Sequence, residues 1–180
     1  MRFLTLALLL ALLGTPCAAI AGDPAAVAIG QLLRPATLHG LNGPPRPLQA
    51  FRGRPLIINV WASWCGPCRA EMASLERLAW RNEGREFAII GISTDDYPDR
   101  ARDWLRQSNA TISQYIDQGL QMEHMLGVST LPLTVLVDAQ GRVLAKIHGA
   151  RDWDSAESVA FVSRTFGTSA GAGGPAPQSR

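Results

Sequence analysis

The sequence predicts an α/β fold, a central mixed β-sheet flanked by helices, with a hairpin extension ahead of it. Three observations predict it. Two short, continuous apolar runs at residues 56–61 and 87–92 read as strands buried on both faces. Each is followed by a segment with helical periodicity, and strands alternating with helices imply parallel pairing. A third apolar run at 133–137 turns through Asp138-Ala139-Gln140-Gly141 into the alternating segment 143–148, which supplies an antiparallel edge.

The elements follow in order. Arg2, the apolar stretch 3–13 and Ala19-Ile20-Ala21 before Gly22 read as a signal peptide over residues 1–21. The alternative is an uncleaved membrane anchor, but the apolar stretch is short for a span, and Gly14 and Pro16 interrupt it. Pro16, next to Cys17, argues against a lipid-modified cysteine, so Cys17 leaves with the signal. Residues 22–34 are a leader, 35–166 the folded domain, and 167–180 a Gly/Ala/Pro/Ser-rich tail expected to be disordered.

Within the domain, Asn42-Gly43 is a hairpin turn between Ala36-Thr37-Leu38 and Pro47-Leu48. After the strand at 56–61 comes a helix over 67–82, with Met72, Leu75 and Ala79 inward. Asp95-Asp96 and Pro98 open a second helix with Ala101, Trp104 and Leu105 inward. A short strand is expected at 113–116. A short helix at 120–126 follows, closed by Gly127, with Met122, Met125 and Leu126 as core rather than a metal or haem site. The last helix, 154–166, is expected to bury Ala156, Val159, Ala160 and Phe166 and to stop at Gly167.

Composition excludes some functions. A net charge of +2 is too small for a nucleic-acid footprint. Once Cys17 is gone, Cys65 and Cys68 are a single close pair, which is not a disulfide scaffold. Zinc needs a second ligand pair, and His39, His124 and His148 do not stand at ligand spacing, so no metal is expected. Covalent haem attachment needs histidine after the second cysteine, and position 69 is Arg.

Trp64-Cys65-Gly66-Pro67-Cys68 lies where the first buried strand meets its helix, the position of a redox motif. Cys65 faces the unpaired N–H groups and the positive dipole end of the helix, which favour thiolate. Pro67 suits the first helical turn because its missing N–H has no helical partner to lose. Cys68, one turn deeper, should stay a thiol. Cys65 is therefore the nucleophile and Cys68 the resolving group. No cofactor is expected beyond the redox-active disulfide Cys65–Cys68. Trp64 reads as a contact surface and Trp61 as core.

The run from Asn59 to Met72 resembles the active-site segment of exported thioredoxin-fold proteins of the TlpA type, a group that includes the reductants of cytochrome c maturation. The resemblance extends to Gly91-Ile92-Ser93-Thr94-Asp95, to Thr130-Leu131-Pro132-Leu133-Thr134, and to Val137-Asp138 and Gly141, covering about residues 35–165. It implies a thioredoxin fold and a periplasmic or otherwise exported thiol–disulfide oxidoreductase. It also implies that Pro132 is a cis-proline beside the cysteines and that Leu131, with Trp64, Gly66 and Pro67, contacts the substrate. Asn59 stands where cytosolic thioredoxins carry a buried aspartate, so proton transfer must lie elsewhere. Glu71 matches an acidic residue of the family, and either relays the proton of Cys68 or is a solvated helix carboxylate. Ala73 departs from a proline common near this point.

Expected partners are a protein disulfide substrate, with apocytochrome c among the candidates, and a membrane thiol reductase as electron donor. No nucleic acid is expected, and the chain is expected to be a monomer. A copper-binding chaperone on the same fold, a peroxidase and a metal-site thiol reductant are the rival readings. The first would use a wider cysteine spacing and a distant histidine, and the second a cysteine in a Pro/Thr-rich loop.

Overall fold

The computed structural model describes residues 26–82 and 86–167. The signal segment 1–21, Cys17, the start of the leader and the tail beyond Gly167 lie outside them. In chain order the elements are β1 (Thr37–Gly40), β2 (Arg46–Pro47), a 3-10 turn (Leu48–Phe51), β3 (Leu56–Trp61), α1 (Gly66–Asn82) and β4 (Ala88–Ser93). They continue as α2 (Pro98–Ser108), β5 (Ser113–Ile116), α3 (Gln121–Leu126), β6 (Leu133–Val137), β7 (Val143–His148) and α4 (Ala156–Phe166).

The strands form one sheet in the order β2-β1-β5-β4-β3-β6-β7. The crossovers through α1 and α2 make β3, β4 and β5 parallel, whereas the tight turn at 138–142 makes β6 and β7 antiparallel. β3 therefore sits inside the sheet, paired parallel to β4 and antiparallel to β6. All six of its residues are buried, which is why it reads as a continuous apolar run.

Alternation along the strands divides the core. Leu56, Ile58 and Val60 face one side, with Met122, Met125 and Leu126 of α3 in the same cluster. Ile57 faces the other side, with Leu75 and Leu78 of α1 and Val162 of α4, and Trp61 packs there with Met72 of α1 and Leu105 of α2. Among the described residues, no helix is long and apolar enough to cross a membrane.

Gly91 on β4 marks a close approach below the site. A Cβ there would fall 1.9 Å from Gln114 Oε1. That oxygen accepts a hydrogen bond from Trp61 Nε1 at 2.9 Å. Gly91→Ala is expected to displace the Gln114 amide and strand a buried indole N–H, costing about 1–3 kcal/mol by denaturant unfolding. An unchanged midpoint would mean that the amide has a second position open to it.

Three expectations need correction. Leu48 does not extend the hairpin strand; β2 ends at Pro47 and Leu48 begins the 3-10 turn. Trp104 of α2 and Ala79 of α1 are only half-buried. The inward face of α4 is Ser158, Val162 and Ser163, while Val159, Ala160 and Phe166 are half-buried and Ala156 is exposed. The phase of α4 follows from what precedes it. Trp153, fully buried, is anchored by its backbone N–H on Ser74 Oγ at 3.0 Å, and Ser155 caps the helix. Buried Ser158 is tolerated because it pairs with the Ser155 hydroxyl at 3.0 Å.

Candidate active site around Cys65 and Cys68

β3 delivers the chain to the site. After Trp61 the backbone turns, with the Cys65 N–H donating to Ala62 O at 3.1 Å, and α1 begins at Gly66. Cys65 and Cys68 are joined as a disulfide, with Cα atoms 5.3 Å apart. The backbone N–H of Cys68 donates to Cys65 Sγ at 3.2 Å. The first-turn N–H that would otherwise lack a partner thus points at the sulfur that would carry charge on reduction, which favours its thiolate. Cys68 is fully buried, and Cys65 is also largely covered, at 5% exposure. Access to Cys65 is framed by exposed Trp64, Gly66 and Pro67.

The loop ahead of Cys65 is held by Asp95, a residue whose place in the sequence marks it mainly as a helix opener. The buried carboxylate of Asp95 accepts from Ser63 N at 2.8 Å, from Ser63 Oγ at 2.6 Å and from Ser93 Oγ at 2.7 Å. The signal was present: polar residues cluster just past the ends of two neighbouring parallel strands, where Trp61 pairs with Ser93.

The Leu131–Pro132 peptide is cis. The β3–β6 register pairs Val60 with Leu133, which sets Pro132 beside the end of β3. Pro132 is buried, and Leu131, half-buried, packs against the apolar cluster that contains both cysteines. The predicted substrate-contact residues thus come from two segments: the start of α1 and the turn into β6.

Glu71 is 3% exposed, which overturns the reading of it as a solvated carboxylate. It lies one turn beyond Cys68 on the buried face of α1. Its Oε1 accepts from Asn59 Nδ2 at 2.6 Å. Its Oε2 accepts from the Arg151 backbone N–H at 2.9 Å and the Trp153 indole N–H at 3.1 Å. Burial pushes the carboxyl above the ordinary value of 4.5, and the three donors pull against that shift. Asn59 also donates to Thr134 Oγ1 at 3.0 Å, while its own Oδ1 is buried without a donor. That imbalance is unfavourable: the amide N–H groups serve the Glu71 carboxylate and Thr134, and the amide oxygen is left without a donor. An open cleft lined by Ala70, Ser74, Arg77, Ala150 and Arg151 reaches Glu71. Trp153 and Asn59 were not foreseen as its partners.

Comparison with known proteins agrees with this geometry. The chain is 32% identical over 150 residues to the thiol-disulfide oxidoreductase ResA of Geobacillus thermodenitrificans, covering 83% of this chain and 86% of that protein. It is 36% identical over 107 residues to the thiol:disulfide interchange protein DsbE of Vibrio cholerae, covering 57% of this chain and 56% of that one. In fold it is similar to the thioredoxin domain of a thiol-disulfide oxidoreductase from Bacteroides vulgatus. That match has a TM-score of 0.65 at 23% identity, covering 76% of this chain and 99% of the other. Residues 29–146 match the AhpC/TSA family, so the chain, built on the thioredoxin fold, belongs to the AhpC/TSA family.

Proposed function

We propose that this protein is an exported thiol–disulfide oxidoreductase that reduces protein disulfides through Cys65 and Cys68. The observation that carries the reading is the cysteine pair closed at the mouth of α1, with a helix N–H on Cys65 Sγ. In the reduced protein, the Cys65 thiolate attacks one sulfur of the substrate disulfide. A mixed disulfide forms and a substrate thiolate leaves, taking a proton from water. Cys68 then gives its proton to the Glu71 carboxylate and attacks Cys65 Sγ. The second substrate thiolate leaves, and Cys65–Cys68 closes as a disulfide. Glu71 returns its proton to water through the cleft beside Arg151.

An external dithiol must then reopen the pair; a membrane thiol reductase suits an exported protein. Cysteines of apocytochrome c are the substrate we favour. That substrate rests on the resemblance to the reductants of cytochrome c maturation; the names of the relatives, which describe thiol–disulfide exchange, support the reaction type, and the Gly66-Pro67 pair between the cysteines supports the reducing direction. Leu131 and Pro132 with Trp64 form the surface for the substrate chain.

The test is reduction of a disulfide-bonded protein by the purified chain with a sacrificial dithiol. Catalysis that requires both cysteines is expected. Stoichiometric Cu(I) binding without such reduction would favour the copper chaperone instead.

Glu71→Gln separates the relay from the exchange itself. The rate of resolution should lose its dependence on a carboxylate, while attack by Cys65 stays intact. The same variant changes stability with a definite sign. Folding raises the carboxyl pKa, so its contribution is intact below the ordinary value of 4.5 and is lost as pH rises through the native value. Relative to the parent, Glu71→Gln should therefore gain stability as pH rises, by about 1.4 kcal/mol for each unit of that elevation. Thermal melts at fixed redox state across the acid-to-neutral range check it. A pH-independent difference would contradict the assignment.

A further inference from the structure

The two oxygens of Glu71 are held differently. Oε2 has two partners, the Arg151 backbone N–H and the Trp153 indole N–H, and both can only donate. A proton on Oε2 would have to displace one of them. Oε1 faces a side-chain amide, Asn59, and keeps a lone pair free of those two donors. We propose that Trp153 is a positioning residue of the thiol–disulfide reaction: its indole N–H locks Oε2, holds Glu71 ready as a base, and directs the Cys68 proton to Oε1. The inference rests on the reading of Glu71 as the relay for Cys68.

The charged groups around the carboxylate have partners other than its oxygens. Arg151 turns its guanidinium to Glu157 at 3.1 Å, over the Phe161 ring at 5.1 Å and over the Trp153 ring at 5.8 Å. Arg77, which shares the cleft, pairs with Asp154 at 3.0 Å and Asp152 at 3.6 Å. Asn59 and Thr134, from the strands, do not titrate. Neutral donors therefore oppose the desolvation of Glu71, and one of the two side-chain donors is Trp153, 82 positions away along the chain. The surrounding contacts point to a built arrangement. Ser74 Oγ accepts the Trp153 backbone N–H at 3.0 Å and donates to Glu71 O at 2.7 Å, tying the loop to the turn of α1 that carries the carboxylate.

The step balances without a further reagent. Cys68–SH and the Glu71 carboxylate become thiolate and acid, and the thiolate's electron pair forms the new S–S bond as the substrate thiolate leaves.

Trp153→Phe keeps an aromatic ring and deletes the donor. Site-specific replacement of Trp153 by its benzothienyl analogue keeps the two-ring shape as well, and serves if the Phe variant folds poorly. In the full chain, carboxyl NMR should show Glu71 titrating about one to two pH units higher in either variant. The acid limb of the resolution rate should move up by the same amount, with attack by Cys65 unchanged. Adding Glu71→Gln should abolish the shift. An unmoved Glu71 titration overturns the role of Trp153. A moved titration with a resolution rate insensitive to Glu71→Gln overturns the relay reading instead, so the two failures are distinguishable.

Discussion

Cys68→Ser is expected to stop the reaction halfway, with the substrate held on Cys65 as a stable mixed disulfide. The expectation follows from the site's asymmetry. Cys65 Sγ receives the first-turn N–H and is the less covered sulfur, whereas Cys68 is fully buried. Only Cys65 can meet a large substrate, and only a thiol at position 68 can release it. Turnover of a protein disulfide should fall by on the order of a thousandfold or more, because residues that act as a unit fail together. The single attack by Cys65 should persist and give one adduct per chain, visible by mass spectrometry and cleaved by dithiothreitol. Cys65→Ser should give no adduct. Equal trapping by the two variants would show that the sulfurs are interchangeable, and would remove the direction assigned to the pair.

Asp95→Ala should be the most damaging change that leaves both cysteines in place. One buried carboxylate satisfies Ser63 N, Ser63 Oγ and Ser93 Oγ. Truncation leaves these donors, two on half-buried Ser63 and one on buried Ser93, without their acceptor, and the backbone N–H cannot rotate to another partner. The cost should be about 3–5 kcal/mol, within the range for a broken buried network and a large share of ordinary domain stability. The damage should also reach function, since Ser63 lies two residues before Cys65. Denaturant unfolding of the oxidised protein and the rate of substrate reduction both test it. Full stability with slow reduction would assign Asp95 to the loop alone; no change in either would show that the clamp carries no weight. Asp95→Asn, which keeps an acceptor, should lose less.

Much of the site was readable in sequence because its signal is local. The pair Cys65 and Cys68 is defined by spacing, and its place at a helix start follows from the apolar run that ends at Trp61 and the periodic segment after it. Trp61 closes the apolar run and Trp64 lies in the loop beside the cysteines, which fits their reading as core and contact surface, and the structure has them at 0% and 70% exposure. Glu71 could be singled out but not resolved. On a helix wheel it is a polar residue near an apolar stripe, and burial depends on which distant segment closes over it. That segment is the loop carrying Arg151 and Trp153, whose docking no helical period encodes. The buried face of α4 departs from its apolar pattern for the same reason. Its apolar residues suggest one phase, but the anchoring of Trp153 ahead of the helix imposes another.

By itself the sequence determined the order of strands and helices, the parallel core with its antiparallel edge, and the two sulfurs at the start of α1. These depend on periodicity and on contacts between near neighbours in the chain. The tertiary structure alone decided that Asp95 holds the loop before Cys65, and that Glu71 is a buried carboxylate gripped by Asn59, Arg151 and Trp153. A carboxylate's state depends on how much water is removed from it and which donors replace that water, and both come from segments that meet only when the sheet closes.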